Sequence, residues 1–209
     1  MFKFCPVILL ACIMFCSCKS ARNKEDYTRY VNPFVGAAEY GHCSPGACVP
    51  FGLVQAGPQT GNCEWKYCSG YQSEDLSISG FSQNRLNGTG MTDLGDILIF
   101  PFSGEIDPTH FWSTFDKRNE FASPGYYSVL LNDYRVKTEI SASAHTAIYR
   151  LTYLGEQKPH LLIDFQSAMV GNPDHLHTHV VDAKVNFENT STVSGYTRTK
   201  VWVDRTYYY

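Results

Sequence analysis

YYSVLLNDYRVKTEISASAHTAIYRLTY, residues Tyr126 to Tyr153, decides the fold class. Three runs rich in β-branched and aromatic residues (Tyr126 to Leu131, Tyr134 to Ser141, His145 to Tyr153) are separated by short polar breaks, the first at Asn132 and Asp133. In the middle run Val136, Thr138 and Ile140 alternate with Lys137, Glu139 and Ser141, the period-2 pattern of a half-buried strand. Successive strands joined by so little chain pair as antiparallel neighbours. The same signals recur in DILIFPF (Asp96 to Phe102), HLLIDF (His160 to Phe165), VVDAKVNF (Val180 to Phe187) and TVSGYTRTKVWV (Thr192 to Val203). Turn chemistry lies between them, at SPG from Ser123, LGEQKP from Leu154 and GNPD from Gly171. No segment carries a long 3.6-period stripe, so the expectation is an all-β antiparallel sandwich.

Upstream, Tyr30 to Asn62 is broken by VNPFVG, SPGACVPFG and AGPQTGN, which exclude helix and predict extended chain with tight turns. GFSQNRLNGTGMTDLGD, Gly80 to Asp96, reads as a loop too glycine-rich for helix and too polar for a core strand. TRTKVWVDRTYYY runs through β-formers to Tyr209 without a turn signal, and the sequence reads as cut off there.

The 209 residues allow one domain or two small ones, and 44% hydrophobic against 18% charged residues excludes a disordered chain. A net charge of -3 without a basic stripe gives no basis for nucleic-acid binding. Residues 1–18, MFKFCPVILLACIMFCSC, form a lysine-bearing start and a short apolar run, a secretory signal rather than a membrane span. Cys12 and Cys18 each could end a bacterial lipoprotein box. Cys18 is favoured by position, because cleavage at Cys12 would leave IMF on the mature chain. Acyl chains on Cys18 would anchor the protein to a membrane leaflet. Ordinary cleavage and secretion is the alternative, and both export the chain. Residues 19–29 read as a polar tether and 30–209 as the domain.

Cys43, Cys48, Cys63 and Cys68 repeat a C-x4-C spacing, unlike the C-x2-C of a compact zinc knuckle; disulfides and free thiols both remain open. His175, His177 and His179 would share one face of an extended strand, a weak metal pattern against the commoner reading of ordinary polar histidines. Glu64, Glu74, Asp75, Asp93 and Asp96 could supply a glycosidase acid/base pair, but Asp93 and Asp96 bracket a turn, where carboxylates cap backbone N–H groups. Trp65, in a Gly- and Cys-rich loop between Glu64 and Lys66, is suited to stacking on a sugar ring, or to packing the loop. Asn87 to Gly90 resembles a weak anion nest.

VNPFVG, GHCSPGACVPFGLVQAGP, WKYCSGY, GFSQNRLNGTGMTDLGDILIFP and SPGYYSVLL…YRVKTEISASAHTAIYR occur in the order found in the N-terminal domain of glycoside hydrolase family 92, which the chain resembles from Tyr30 to Tyr209. That resemblance implies the N-terminal supersandwich of a two-domain, exo-acting, inverting α-mannosidase, partnered by an (α/α) catalytic barrel missing from this sequence. It implies mannose-containing glycans as substrate and Ca2+ as cofactor, with the catalytic carboxylates and most calcium ligands on the missing domain. Trp65, Cys68, Gly70 and Tyr71 match the family's W-x-x-C-S-G-Y motif, with Trp65 stacking on the sugar beyond the scissile bond. Asn87, Gly88, Thr89, Gly90 and Asp96 match its glycine-rich loop. Asn84 and Arg85 depart from the usual Thr and His, and Met91 from a usual Cys; Arg85 would bring a fixed positive charge to the glycan. The expected substrate-binding residues are therefore Trp65, Cys68, Gly70, Tyr71, Arg85 and Asn87 to Gly90, with no catalytic residue and no metal ligand assigned within this chain.

Overall fold

A computed structural model describes residues 25–61, 64–109, 111–169, 179–200 and 203–209. The signal sequence and Cys18 lie outside the described residues, as do Cys63, His175 and His177. His179 is described only as the first residue of a strand.

The fold is antiparallel throughout its named sheets. One sheet has the order β1-β2-β4-β5-β11, from β1 (Ala47–Cys48), β2 (Gln55–Gln59), β4 (Gly80–Ser82), β5 (Leu98–Ser103) and β11 (Pro159–Asp164). A second has the order β10-β9-β8-β7, from β7 (Phe121–Ser123), β8 (Tyr126–Leu131), β9 (Val136–Ala142) and β10 (Ala147–Tyr153). β12 (His179–Phe187), β13 (Val193–Lys200) and β14 (Asp204–Tyr208) make a third sheet, and β3 (Ser77–Ile78) pairs with β6 (Ser113–Thr114).

The first two sheets bury a common core, in which Ala47, Ala56, Phe81 and Phe100 face Tyr127, Val129, Leu131 and Ile140. Each large side chain removed from water there contributes about 1.5–3 kcal/mol. The alternation in β9 holds, with Val136, Thr138 and Ile140 fully buried and Lys137 exposed. Glu139 breaks it. Its carboxylate is covered because Arg150 on β10 and the Tyr126 hydroxyl both donate to it. Across β5 and β11, Phe102 and His160 are register partners, and their rings stack 5.0 Å apart.

Two expectations are corrected. The final run is not one strand from Thr192 to Val203: β13 ends at Lys200, and β14 folds back beside it, pairing Lys200 with Asp204 and Tyr196 with Tyr208. Nor is Gly80 to Asp96 loop throughout, because Gly80–Ser82 forms β4 between β2 and β5. A Cβ on Gly80 would strike the Leu98 side chain, which is why the run opens on glycine. At the other end, Tyr27–Tyr30 closes the tether as an exposed 3-10 turn capped by Asp26.

Candidate functional site

The loop after β4 is closed at its neck by its own polar residues. Asp96 N–H donates to Asn84 Oδ1 at 2.9 Å, and Asn84 Nδ2 donates back to Asp96 Oδ2 at 3.0 Å. Gly95 N–H reaches the Asn84 carbonyl, and Arg85 bridges Leu94. From β14, Arg205 then clamps the neck, at 2.6 Å from Asp93 Oδ1 and 3.4 Å from Asp96 Oδ2. Burial pushes the Asp96 carboxyl above its usual range, against the opposing pull of Arg205 and Asn84. Asp93 does cap the next N–H, that of Leu94, as the turn position implied. The cation from β14, 109 residues along the chain from Asp96, was not expected.

Below the loop, Arg85 is a scaffold. It is 1% exposed, and its guanidinium donates to the carbonyls of Gln55, Gly57, Pro58, Ser69 and Ser82 and to the hydroxyls of Ser44 and Ser82. The charge expected to face a glycan instead ties β2, β4 and the 68–71 segment together, because unpaired carbonyls in that layer would be costly. Burial lowers its pKa to about 10, so it stays cationic at neutral pH.

The other motif residues divide by depth. Cys68 is buried, its Sγ 2.8 Å from the Trp65 carbonyl, and burial raises the thiol to about 11. Gly70 is buried at φ +78°, with Met169 packed where a side chain would start. Tyr71 is buried and donates to Glu120, which Tyr127 and Lys117 also reach; desolvation and the Glu120 charge raise its pKa strongly. These three hold the loop from beneath and present no free group at the surface.

The exposed tier is Trp65 with Asn87 to Gly90. Trp65 sits in a 3-10 turn, Trp65–Tyr67, and is 54% exposed. Its Nε1 donates to the Gly90 carbonyl at 2.5 Å, fixing the ring against the loop tip. A Cβ on Gly90 would press on the indole at 3.0 Å. Asn87 accepts from Ser44 N–H at 2.8 Å and donates to Gln55 Oε1, and Gly88 N–H donates to the His42 carbonyl at 2.7 Å. With the Gly88 N–H so used, the expected anion nest is weakened. Thr89 Oγ1 lies 3.4 Å from Met91 N.

Two further residues belong here. Tyr40 and His42 lie 5.4 Å and 5.2 Å from the Trp65 ring, centroid to centroid. Both sit in the GHCSPG neighbourhood, where a Tyr and a His beside glycines were the only signal in the sequence. Beside this cluster, a groove of about 530 Å3 is lined by Val31, Val35, Cys43, Cys48, Phe51 and Asn87 among others. Cys43, Cys48 and Cys68 are free thiols. Among the described residues no three His, Cys, Asp or Glu side chains converge as a metal cage. Of the candidate acids, Asp93 and Asp96 are tied to Arg205, and Asp75 accepts from the Tyr67 hydroxyl, whose pKa rises to about 12 through burial and that carboxylate.

Comparison with known proteins bears on the family and the fold. The sequence profile of the glycosyl hydrolase family 92 N-terminal domain matches residues 30–209. A family GH92 α-mannosidase from Bacteroides thetaiotaomicron, solved in complex with mannoimidazole, is 35% identical with a TM-score of 0.79, covering 87% of this chain and 24% of that one. A family GH92 inverting mannosidase from Bacteroides thetaiotaomicron VPI-5482 shares the fold at 19% identity and TM-score 0.57, over 89% of this chain and 29% of that one. An uncharacterized secreted glycosidase of Arthroderma benhamiae is 29% identical, over 64% of this chain and 18% of its own length. The chain thus spans about a quarter of the solved relatives it matches.

Proposed function

Because this chain belongs to glycosyl hydrolase family 92, as its N-terminal β-sandwich domain, we propose that it is the glycan-binding part of an exported α-mannosidase acting on mannose-containing glycans. Trp65 carries the proposal. Its indole is exposed, held in one orientation by Gly90 and flanked by polar loop residues, the arrangement that stacks on the apolar face of a pyranose. The inverting chemistry, an acid protonating the leaving oxygen while a base activates water on the opposite face, is proposed for the whole enzyme, with its carboxylates outside this chain. Calcium dependence is likewise proposed for the whole enzyme, and the sugar contact assigned to this chain does not depend on the ion. Export is supported by the apolar leader and by the secreted relative, and lipidation at Cys18 by its place at the end of that leader. A stand-alone carbohydrate-binding lipoprotein is the second reading, supported by the exposed indole of Trp65 in this chain.

Residues 19–209 are expected to hydrolyse no aryl α-mannoside but to bind methyl α-mannoside in calorimetry, with Trp65→Ala abolishing the binding. Turnover lost on Asp93→Ala would overturn the division of labour. Wild-type protein silent toward mannosides would overturn the Trp65 reading.

A further inference from the structure

Trp65 does not stand alone on the surface. Tyr40 is 63% exposed, and the two rings meet at 5.4 Å with a 35° tilt, so they form one shallow aromatic wedge. Behind them lies His42, 6% exposed, its ring 6.3 Å from Tyr40 and 5.2 Å from Trp65. The imidazole is therefore the floor against which both exposed rings lean.

Each part of the wedge is held by the fold. Trp65 is pinned through Nε1 to Gly90, and the carbonyl of His42 is pinned by Gly88 N–H. The chain takes left-handed φ at Glu39 (50°) and His42 (54°), on either side of Tyr40, which orients this segment. Nδ1 of His42 is buried with no hydrogen-bond partner among the described residues, and its ring packs against both exposed rings. More than half of the surface of each of these two aromatic residues faces water, an area on the order of 200 Å2, more than one face of a single hexose covers.

We infer that Tyr40 is a second sugar-stacking residue beside Trp65, so that the site takes at least two linked pyranose units. This rests on the reading of Trp65 as a sugar platform and adds to it a requirement for an oligosaccharide. Trp65 provides the first contact. Tyr40 contacts the next unit.

The test is calorimetry on the full mature chain with methyl α-mannoside and α-1,2-mannobiose as probes, comparing wild type, Tyr40→Ala, Tyr40→Phe and Trp65→Ala. Tyr40→Ala is expected to weaken mannobiose binding about fivefold while leaving methyl α-mannoside unchanged, the scale of one lost ring contact. Tyr40→Phe, which keeps the ring, should restore most of it. Because Tyr40 is exposed, unchanged thermal midpoints should accompany both variants, and a lowered midpoint restored by neither probe would count against a surface role. Binding lost in Trp65→Ala but equal in wild type and Tyr40→Ala for both sugars would refute the inference and leave the Trp65 reading standing. No binding by wild type to either sugar would refute both.

Discussion

Replacing Arg85 by Met separates the scaffold reading of that residue from the ligand reading. The methionine fills the channel but donates nothing, and the carbonyls of Gln55, Gly57, Pro58, Ser69 and Ser82 lose their shared donor. An unpaired buried carbonyl costs about 1–3 kcal/mol, so at the low end these groups together approach about 5 kcal/mol. Removing a desolvated cation returns part of that, and the net loss is expected at about 3–5 kcal/mol. Domains of this size are stable by about 5–15 kcal/mol, so the variant should survive in buffer but unfold early. With a urea slope of about 2–3 kcal/mol/M, the midpoint falls by about 1–2.5 M. Arg85→Lys, with three donors on a single nitrogen, should fall between. Equilibrium urea unfolding followed by tryptophan fluorescence and far-UV circular dichroism reads the shift. A midpoint for Arg85→Met within about 0.3 M of wild type, together with lost mannoside binding, would refute the scaffold and restore Arg85 as a glycan contact.

Other consequences follow from single side chains. Hydrogen bonds from Arg150 and then Tyr126 hold the Glu139 carboxyl down at about 2, against the ordinary 4.5. A depressed carboxylate contributes stability that is present above about pH 4.5 and lost as the pH falls toward about 2. Glu139→Gln should flatten the acid limb of the thermal midpoint against pH, and an unaltered limb would exclude this carboxylate as its source. Thiol reactivity should follow depth: in the native protein Cys48, exposed, reacts first with an alkylating reagent, and Cys68, buried with its thiol raised to about 11, reacts only on unfolding. Peptide mapping showing Cys68 alkylated as fast as Cys48 would contradict the burial. Gly57→Ala places a Cβ against the backbone of Gly46, so β1 must shift from β2 and the thermal midpoint should drop by several degrees. A midpoint equal to wild type would mean that the two strands separate without cost.

Strand identity was legible wherever one face of a strand is buried and the other wet. Val136, Thr138 and Ile140 alternate because each neighbour points the other way, and any one-residue slip would expose them all. The family motifs were legible for the same local reason, since a close approach such as Gly90 under Trp65 or a left-handed turn such as Gly70 admits glycine best. The anchoring role of Asp93 was half visible, in its cap on Leu94.

What the sequence alone determined, then, is the antiparallel β class, the positions of the longer strands and the stretch that carries the exposed tryptophan, because local side-chain alternation and turn chemistry specify them. Tertiary structure decided which polar residues face outward. Arg85, Tyr71 and Cys68 share motifs with Trp65 and Asn87, yet they are buried and the others exposed, since depth depends on what a distant strand lays across them. Arg205 reaches Asp93 only because β13 and β14 fold back as a hairpin, and Tyr40 meets Trp65 only because the 39–42 turn is left-handed. These are pairings between residues far apart in the chain, and no local pattern encodes the partner.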